Sequence, residues 1–283
     1  MANMRDIRLR IRSIKNIEQI TKAMKMVAAA KLQRAQERAL GSDPFMRKLK
    51  EIVGNLSNGI SSHPLMERPT GTHLKKAYLL ITADKGLAGA YSSNAIKELL
   101  PVLKDHPEAD IYVVGRKGRD YFTRREYPIQ KEYVGFSERP TVEDGREISD
   151  ELVKIFLSGN YESVHIVYTQ FYSPAHHQPR TLQLLPIESE EVKEKKQWTE
   201  FEYEPSEKAI LEWLIPMYLE TLVYGALVQS SASELGARMT AMSSATDNAK
   251  DLISSLTLHY NKVRQAGITR EITEIVGGAE ALR

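Results

Sequence analysis

The sequence predicts an α/β protein: a long antiparallel coiled coil of N- and C-terminal helices plus a central Rossmann-like α/β domain with a mostly parallel sheet. Both ends of the chain repeat apolar residues every three or four positions, which is the spacing of an amphipathic helix. The middle holds short continuous apolar runs, typical of strands covered on both faces. We expect the N-terminal coiled-coil helix at 1–57, a linker at 58–76, the α/β domain at 77–195, a connecting segment at 196–205 and the C-terminal coiled-coil helix at 206–283.

The first helix is predicted from Met4 to Leu56, with a break near Gly41-Ser42-Asp43-Pro44. Its apolar positions advance in steps of three or four and form a narrow stripe, as in a coiled-coil seam. The residues of this predicted seam are Ile7, Ile11, Ile14, Ile17, Ile20, Met24, Val27, Ala28, Leu32, Ala35 and Ala39.

The second helix is predicted to begin after Ser206, a good N-cap, and to end at Gly277-Gly278. We expect a kink at Pro216, which lies too deep in the helix to be a first-turn proline. The middle of each helix is rich in small residues, which let another helix approach closely. An antiparallel pair is therefore the simplest arrangement, and the longer C-terminal helix is expected to extend beyond the first.

The central segment alternates predicted strands and helices. This alternation indicates βαβ units with a mostly parallel sheet. The predicted strands are 77–82, 110–115 and 164–169, with a late edge strand at 182–187, and the predicted helices are 92–104, 118–125 and 142–157.

Composition excludes several classes of protein. The 283 residues carry a net charge of +2 and no Cys, which removes disulfides, thiolate catalysis and Cys-based zinc sites. No signal peptide and no apolar stretch of about 18 residues is recognised, so a soluble chain, or one held at a membrane through another protein, is expected. Residues 1–50 hold thirteen Lys/Arg against four Asp/Glu. A basic helix is compatible with nucleic acid, but its apolar seam favours a coiled-coil face or one that meets an acidic protein.

The α/β domain offers weak candidates for chemistry. The loop Asp84–Ala90 follows the first strand, where phosphate-binding loops occur, but it matches neither phosphate-binding motif. Gly115–Gly118 is interpreted as a basic turn and His176-His177 as part of a surface loop. No nucleophile elbow or metal-ligand spacing is present. We therefore expect no catalytic residue, no metal and no cofactor.

Three runs of residues resemble the gamma subunits of the F-type ATP synthase. They are Asp6-Ile7-Arg8 with Ile20–Ala29, then Ala237–Met242 with Ala245–Ala249, and finally Tyr260–Ala279. Thr82–Gly89 and Tyr203-Glu204-Pro205 are similar too, so the resemblance covers the whole chain. The redox insertion of the chloroplast branch is missing and no presequence precedes Met1, so a bacterial member is expected.

The resemblance implies a central rotor stalk, one copy per complex. Its partners would be the alpha3-beta3 hexamer around the coiled coil, the epsilon subunit, and the c ring beneath a foot formed by the connecting segment. Membrane contact would be indirect, through the c ring, at the cytoplasmic face of the cell membrane, and no nucleic acid would be bound. Proton-driven rotation of the c ring would be coupled to ATP synthesis or hydrolysis at the beta subunits.

The resemblance also implies roles for particular residues. Those matching positions that couple rotor and stator are Met24, Lys25, Arg238, Gln265, Thr269, Glu271 and Glu274, and those matching the c-ring contact are Tyr203 and Glu204. Two other functions remain open on the residues alone. One is a non-motor coiled-coil scaffold whose α/β domain binds nucleotide or nucleic acid, and the other is an independent enzyme.

Overall fold

The computed structural model describes residues 4–57, 63–71, 74–187, 204 and 206–281. The elements follow one another as α1 (Met4–Ser57), β1 (Lys75–Ile81), α2 (Tyr91–Asp105), β2 (Asp110–Val114), α3 (Arg116–Thr123), β3 (Ile129–Tyr133), α4 (Val142–Leu157), β4 (Tyr161–Ser173), β5 (His176–Leu185) and α5 (Glu207–Ala281).

The two terminal helices are longer and less interrupted than predicted. α1 runs unbroken through Gly41–Pro44, and α5 continues through Gly277 and Gly278 to Ala281, so both predicted interruptions are wrong. A glycine inside a helix costs only about 1 kcal/mol and a proline such as Pro44 about 3 kcal/mol. Helix formation is cooperative, so the long flanking segments extend the helix across these unfavourable positions. The Ser206 cap is confirmed, since its Oγ accepts a hydrogen bond from the Ala209 N–H at 3.3 Å. α5 is also continuous through Pro216, where a kink stays a prediction.

The sheet has the order β3-β2-β1-β4-β5. β4 and β5 pair antiparallel and the other neighbours pair parallel, which confirms the mostly parallel sheet. β3 was not predicted because Ile129–Tyr133 alternates half-buried and exposed side chains at an edge and lacks an apolar run. His176 and His177 begin β5, and Gly115–Gly118 leads into α3, so the predicted loop and turn are wrong at both places.

Both faces of the sheet are covered by apolar side chains. Leu79 and Ile166 face a cluster that includes α4, the first half of α5 and Leu49 of α1. Leu80 and Val113 face a second cluster that includes α2 and Phe122 of α3. The continuous apolar runs of β1, β2 and β4 are explained by this double coverage.

A large part of α5, Lys208–Ala279, is long enough and apolar enough to cross a membrane by composition alone. This corrects the expectation that no such stretch exists. In the protein, 44% of its most apolar window is buried. Residues such as Leu214, Leu219 and Val223 pack in the core beside the sheet, and the core helix of a soluble protein has the same composition.

The chain divides into two compact units, one formed by 1–28 with 239–283 and the other by 29–238. In the first unit, α1 and α5 run antiparallel. Arg8 contacts Tyr260 and Lys25 contacts Ser243. Residue numbers therefore rise along α1 as they fall along the facing part of α5. α5 continues to Ala281, whereas α1 begins only about one turn before Arg8. At about 1.5 Å per residue, α5 therefore extends roughly 25 Å beyond α1, as predicted.

The seam of the first unit differs in part from the predicted stripe. Ile7 and Thr21 are buried, whereas Ile17, Ile20 and Val27 are exposed. The buried positions follow the 3.5-residue repeat that keeps a coiled-coil seam facing its partner. The other apolar residues lie on a second, outward face of α1, which a count of three- and four-residue steps could not separate from the seam.

Candidate functional site

The guanidinium of Arg238 is bound by its own chain in the 29–238 unit. It donates to Glu234 Oε1 at 2.7 Å and to Glu138 Oε1 at 3.1 Å, and its side chain is only 7% exposed. A further hydrogen bond reaches the Gly86 carbonyl at 3.3 Å. Arg238 therefore fastens α5 to two loops of the α/β domain and presents little surface to another protein.

Glu234 is the most deeply buried member of this cluster. Burial raises the pKa of its carboxyl, and the charge and hydrogen bond of Arg238 oppose that rise only in part. Neighbouring Tyr91 is fully buried as well, and burial raises the pKa of its phenol. The i, i+4 spacing of Glu234 and Arg238 on α5 is visible in the sequence. The third partner, Glu138, is far away in the chain and could not be inferred from it.

Asp84 ties the loop after β1 to backbone groups that follow the neighbouring strands β2 and β3. Its Oδ1 accepts from the N–H of Arg116 at 3.2 Å, and its Oδ2 accepts from the N–H groups of Gly135 at 2.8 Å and Ser137 at 3.1 Å. Arg116 is the first residue of α3, so Asp84 satisfies the N-terminus of the helix that follows β2. The phosphate position of a Rossmann-like domain lies elsewhere, where the strand order reverses between β1 and β4. There α5 packs against the loop after β1, with Ala237 buried in one cluster with Ala88 and Tyr91.

Within the described residues, no group of three or more His, Cys, Asp or Glu side chains is arranged to hold a metal ion. His177 is half-buried, and burial together with neighbouring His176 lowers its pKa. These observations identify no reactive centre in this part of the chain.

Met24 and Lys25 lie on α1 in the first unit. Met24 is half-buried, whereas Lys25 is exposed and donates from Nζ to Ser243 Oγ at 2.9 Å. Two apolar side chains of α1 near them in the chain, Ile20 and Val27, are also exposed. This part of the chain offers a basic side chain next to an apolar strip, which suits contact with another protein.

Gln265, Thr269, Glu271 and Glu274 are all exposed near the end of α5, in the part that extends beyond α1. At 3.6 residues per turn, Gln265 and Thr269 share a face, and the two glutamates lie on the opposite side. Glu274 forms an i, i+4 ion pair with Arg270 at 3.5 Å. Four apolar side chains are also exposed here: Ile268, Ile272, Ile275 and Val276.

Of the two predicted foot residues, Glu204 is exposed in a bend, and Tyr203 lies outside the described residues. The structure thus separates the predicted site residues into half-buried Met24 with exposed Lys25 on α1, an exposed set near the end of α5, the exposed Glu204 and the buried Arg238.

The whole chain is similar to subunits of one class of enzyme complex. A family model described as ATP synthase matches residues 3–282. Proteins called ATP synthase gamma chain are 44% identical in Desulforamulus reducens, over 100% of both chains, and in Symbiobacterium thermophilum, over 99% of both. The chain belongs to the ATP synthase gamma chain family, and these two relatives are bacterial.

Solved structures show the same fold. The rotor of the Euglena gracilis mitochondrial ATP synthase includes a chain that aligns with a TM-score of 0.69 at 19% identity, covering 94% of this chain and 98% of that one. A chain of the Tetrahymena thermophila central stalk and c ring aligns with a TM-score of 0.60 at 24% identity, covering 80% and 99%. As a gamma chain, the protein is a subunit without its own active site, because the family's catalysis is at the beta subunits.

Proposed function

We propose that the chain is the central rotor stalk of an F1Fo ATP synthase and couples rotation of the c ring to ATP synthesis or hydrolysis at the beta subunits. The observation that carries this proposal is the end of α5, which extends past α1 with exposed apolar side chains such as Ile272 and Ile275. Exposed apolar side chains in such number mark a surface that another protein covers. A hexamer of three alpha and three beta subunits would cover it.

The mechanical requirement is asymmetry. One shaft inside three equivalent beta subunits gives each a different set of contacts, and the difference in contact free energy biases their nucleotide affinities. The antiparallel pair of α1 and α5 supplies bending stiffness. The packing of α5 over the ends of β1 and β4 supports a domain that transmits force and does not bind nucleotide.

The partners and contacts form part of the same proposal. One copy per complex would contact the hexamer through Met24, Lys25, Gln265, Thr269, Glu271 and Glu274. The c ring would be contacted through Tyr203 and Glu204, beside the epsilon subunit. Arg238 would contribute by fixing α5 from within, since it is buried. The complex would place the chain at the cytoplasmic face of the bacterial membrane as a peripheral subunit.

Native mass spectrometry tests this composition. A tagged chain is co-expressed with the alpha and beta subunits of its own operon, and the purified particle is weighed. The expected mass corresponds to three alpha, three beta and one copy of this chain. A free monomer, or a homodimer without alpha and beta at several salt concentrations, would contradict the proposal and favour the scaffold hypothesis.

A further inference from the structure

The carboxylate of Glu138 joins three separate parts of the 29–238 unit. Glu138 lies in the loop between β3 and α4. It accepts hydrogen bonds from Lys31 of α1 at 2.6 Å, from Lys85 of the β1–α2 loop at 3.2 Å and from Arg238 of α5 at 3.1 Å. Its main-chain carbonyl also accepts from Ser231 Oγ of α5 at 2.8 Å. One residue therefore bridges the α/β domain to both long helices.

The environment makes these ion pairs stronger than ordinary surface pairs. The side chain of Glu138 is 15% exposed, so water screens its charge incompletely. Partial burial acts to raise the pKa of Glu138, but hydrogen bonds from Lys31 and Lys85 and the charge of Arg238 outweigh it, and the pKa lies below its ordinary value. The carboxylate is thus held in the charged form that all three cations require.

A second ion pair in the same unit provides a comparison. Arg146 of α4 donates two hydrogen bonds to Glu220 of α5, at 3.1 and 3.2 Å. This pair also ties the α/β domain to α5, but it reaches no part of α1, and the side chain of Arg146 is 61% exposed. The ion pairs of Glu138, by contrast, connect the α/β domain to α1 and α5 at one point.

We propose that Glu138 is a positioning residue for rotary coupling: it locks the α/β domain to both helices of the shaft so that torque passes without slip. The inference rests on the proposed function. Without this carboxylate, Lys31 would lose its partner on the domain and Arg238 would keep only Glu234 and the backbone carbonyls. The helices would remain packed, but the α/β domain would shift relative to α1 and α5 when torque is applied.

The test uses the assembled ATP synthase reconstituted in vesicles. ATP hydrolysis and ATP-driven proton uptake are measured on the same preparation for Glu138→Gln, Lys31→Gln and the control Glu220→Gln. We expect Glu138→Gln to keep the hydrolysis rate and to lower proton uptake per ATP at least threefold. Lys31→Gln should lower proton uptake per ATP by a smaller factor, and Glu138→Asp should keep part of the uptake that Glu138→Gln loses. The control Glu220→Gln should leave proton uptake per ATP unchanged.

A double-variant cycle separates positioning from general weakening of the fold. If Glu138 acts through Arg238, Glu138→Gln adds little to the loss caused by Arg238→Gln. Normal proton uptake per ATP in Glu138→Gln would overturn the inference, as would an equal loss in Glu220→Gln. If Glu138→Gln does not assemble, the Lys31→Gln variant provides the test. Normal proton uptake per ATP in Lys31→Gln would then overturn the inference. A wild-type chain that fails to join alpha and beta subunits would instead overturn the proposed function.

Discussion

Thr21 of α1 and Thr246 of α5 touch through their hydroxyl groups at 2.9 Å, and both side chains are buried in the seam of the first unit. Polar contacts at seam positions favour one register, because a slip would separate the two hydroxyls and leave each with only the carbonyl of its own helix, Glu18 or Met242. The Arg8–Tyr260 and Lys25–Ser243 contacts agree with the same antiparallel register.

This register predicts a specific cross-link. The chain has no native Cys, so Thr21→Cys with Thr246→Cys introduces the only thiols. Mild oxidation should form the intramolecular disulfide, seen as a mobility shift on non-reducing gels, because the two hydroxyl oxygens at these positions lie 2.9 Å apart. The matched pair Thr21→Cys with Thr257→Cys, separated by about three helical turns, should stay reduced. Equal cross-linking of both pairs would contradict the register.

Removing Arg238 should destabilise the protein strongly. Arg238→Met leaves the carboxylate of Glu234 buried without its cation, and breaking a buried pair in this way costs about 3–5 kcal/mol. Urea unfolding of the purified chain measures the loss as a lower midpoint. Arg146→Met removes an exposed partner and should move the midpoint little. A small change in Arg238→Met would mean that Glu234 is neutral and needs no cation.

Two glycines should respond to alanine in opposite directions. A Cβ on Gly145 of α4 would lie 2.9 Å from the Cβ of Tyr224 and 3.2 Å from its Cα. Since α5 cannot yield there cheaply, Gly145→Ala should cost about 1–3 kcal/mol. A Cβ on Gly41 would meet nothing within 4 Å, so Gly41→Ala in α1 should gain up to about 1 kcal/mol. Thermal unfolding of both variants checks the signs, and a stabilised Gly145→Ala would contradict the close packing.

The stability should fall in mild acid, in part through His177. Burial, together with neighbouring His176, lowers the pKa of this imidazole below its ordinary value of about 6.5. Below that value the unfolded chain binds a proton that the folded chain resists, so the stabilisation is complete above about pH 6.5 and is lost as the pH falls. Urea midpoints at pH 7.5 and 5.5 should differ less in His177→Gln than in the wild type. If the urea midpoint falls by the same amount in both proteins, His177 does not contribute to the loss of stability in acid.

α5 covers the point where the strand order reverses, since Ser230 accepts from the Thr169 N–H and Arg238 donates to the Gly86 carbonyl. This covering predicts that the chain does not bind nucleotide. ATP up to millimolar concentrations should leave the melting temperature of the wild-type chain unchanged, because a ligand bound to the folded state would raise it. Asp84→Ala should lower the melting temperature, since three backbone N–H groups lose their acceptor. Saturable stabilisation of the wild type by ATP would contradict this interpretation and revive the nucleotide-binding scaffold.

The sequence predicted the regular elements better than it predicted their contacts. α4 begins and ends at the predicted residues, Val142–Leu157, and the structure adds the capping Thr141. β3 was missed because an edge strand needs no apolar run. The family resemblance indicated Arg238, but only the fold brings Glu138 to it, because no local pattern connects a loop residue to a helix so distant in the chain.

A rotation assay tests the central claim most directly. Lys97→Cys, on the exposed side of α2, carries the only thiol and is attached to a bead, while the alpha3-beta3 hexamer is fixed to glass. The account predicts stepwise rotation in one direction that depends on ATP and stops when ATP is removed. Particles that hydrolyse ATP while the bead shows only undirected motion would contradict the rotor function.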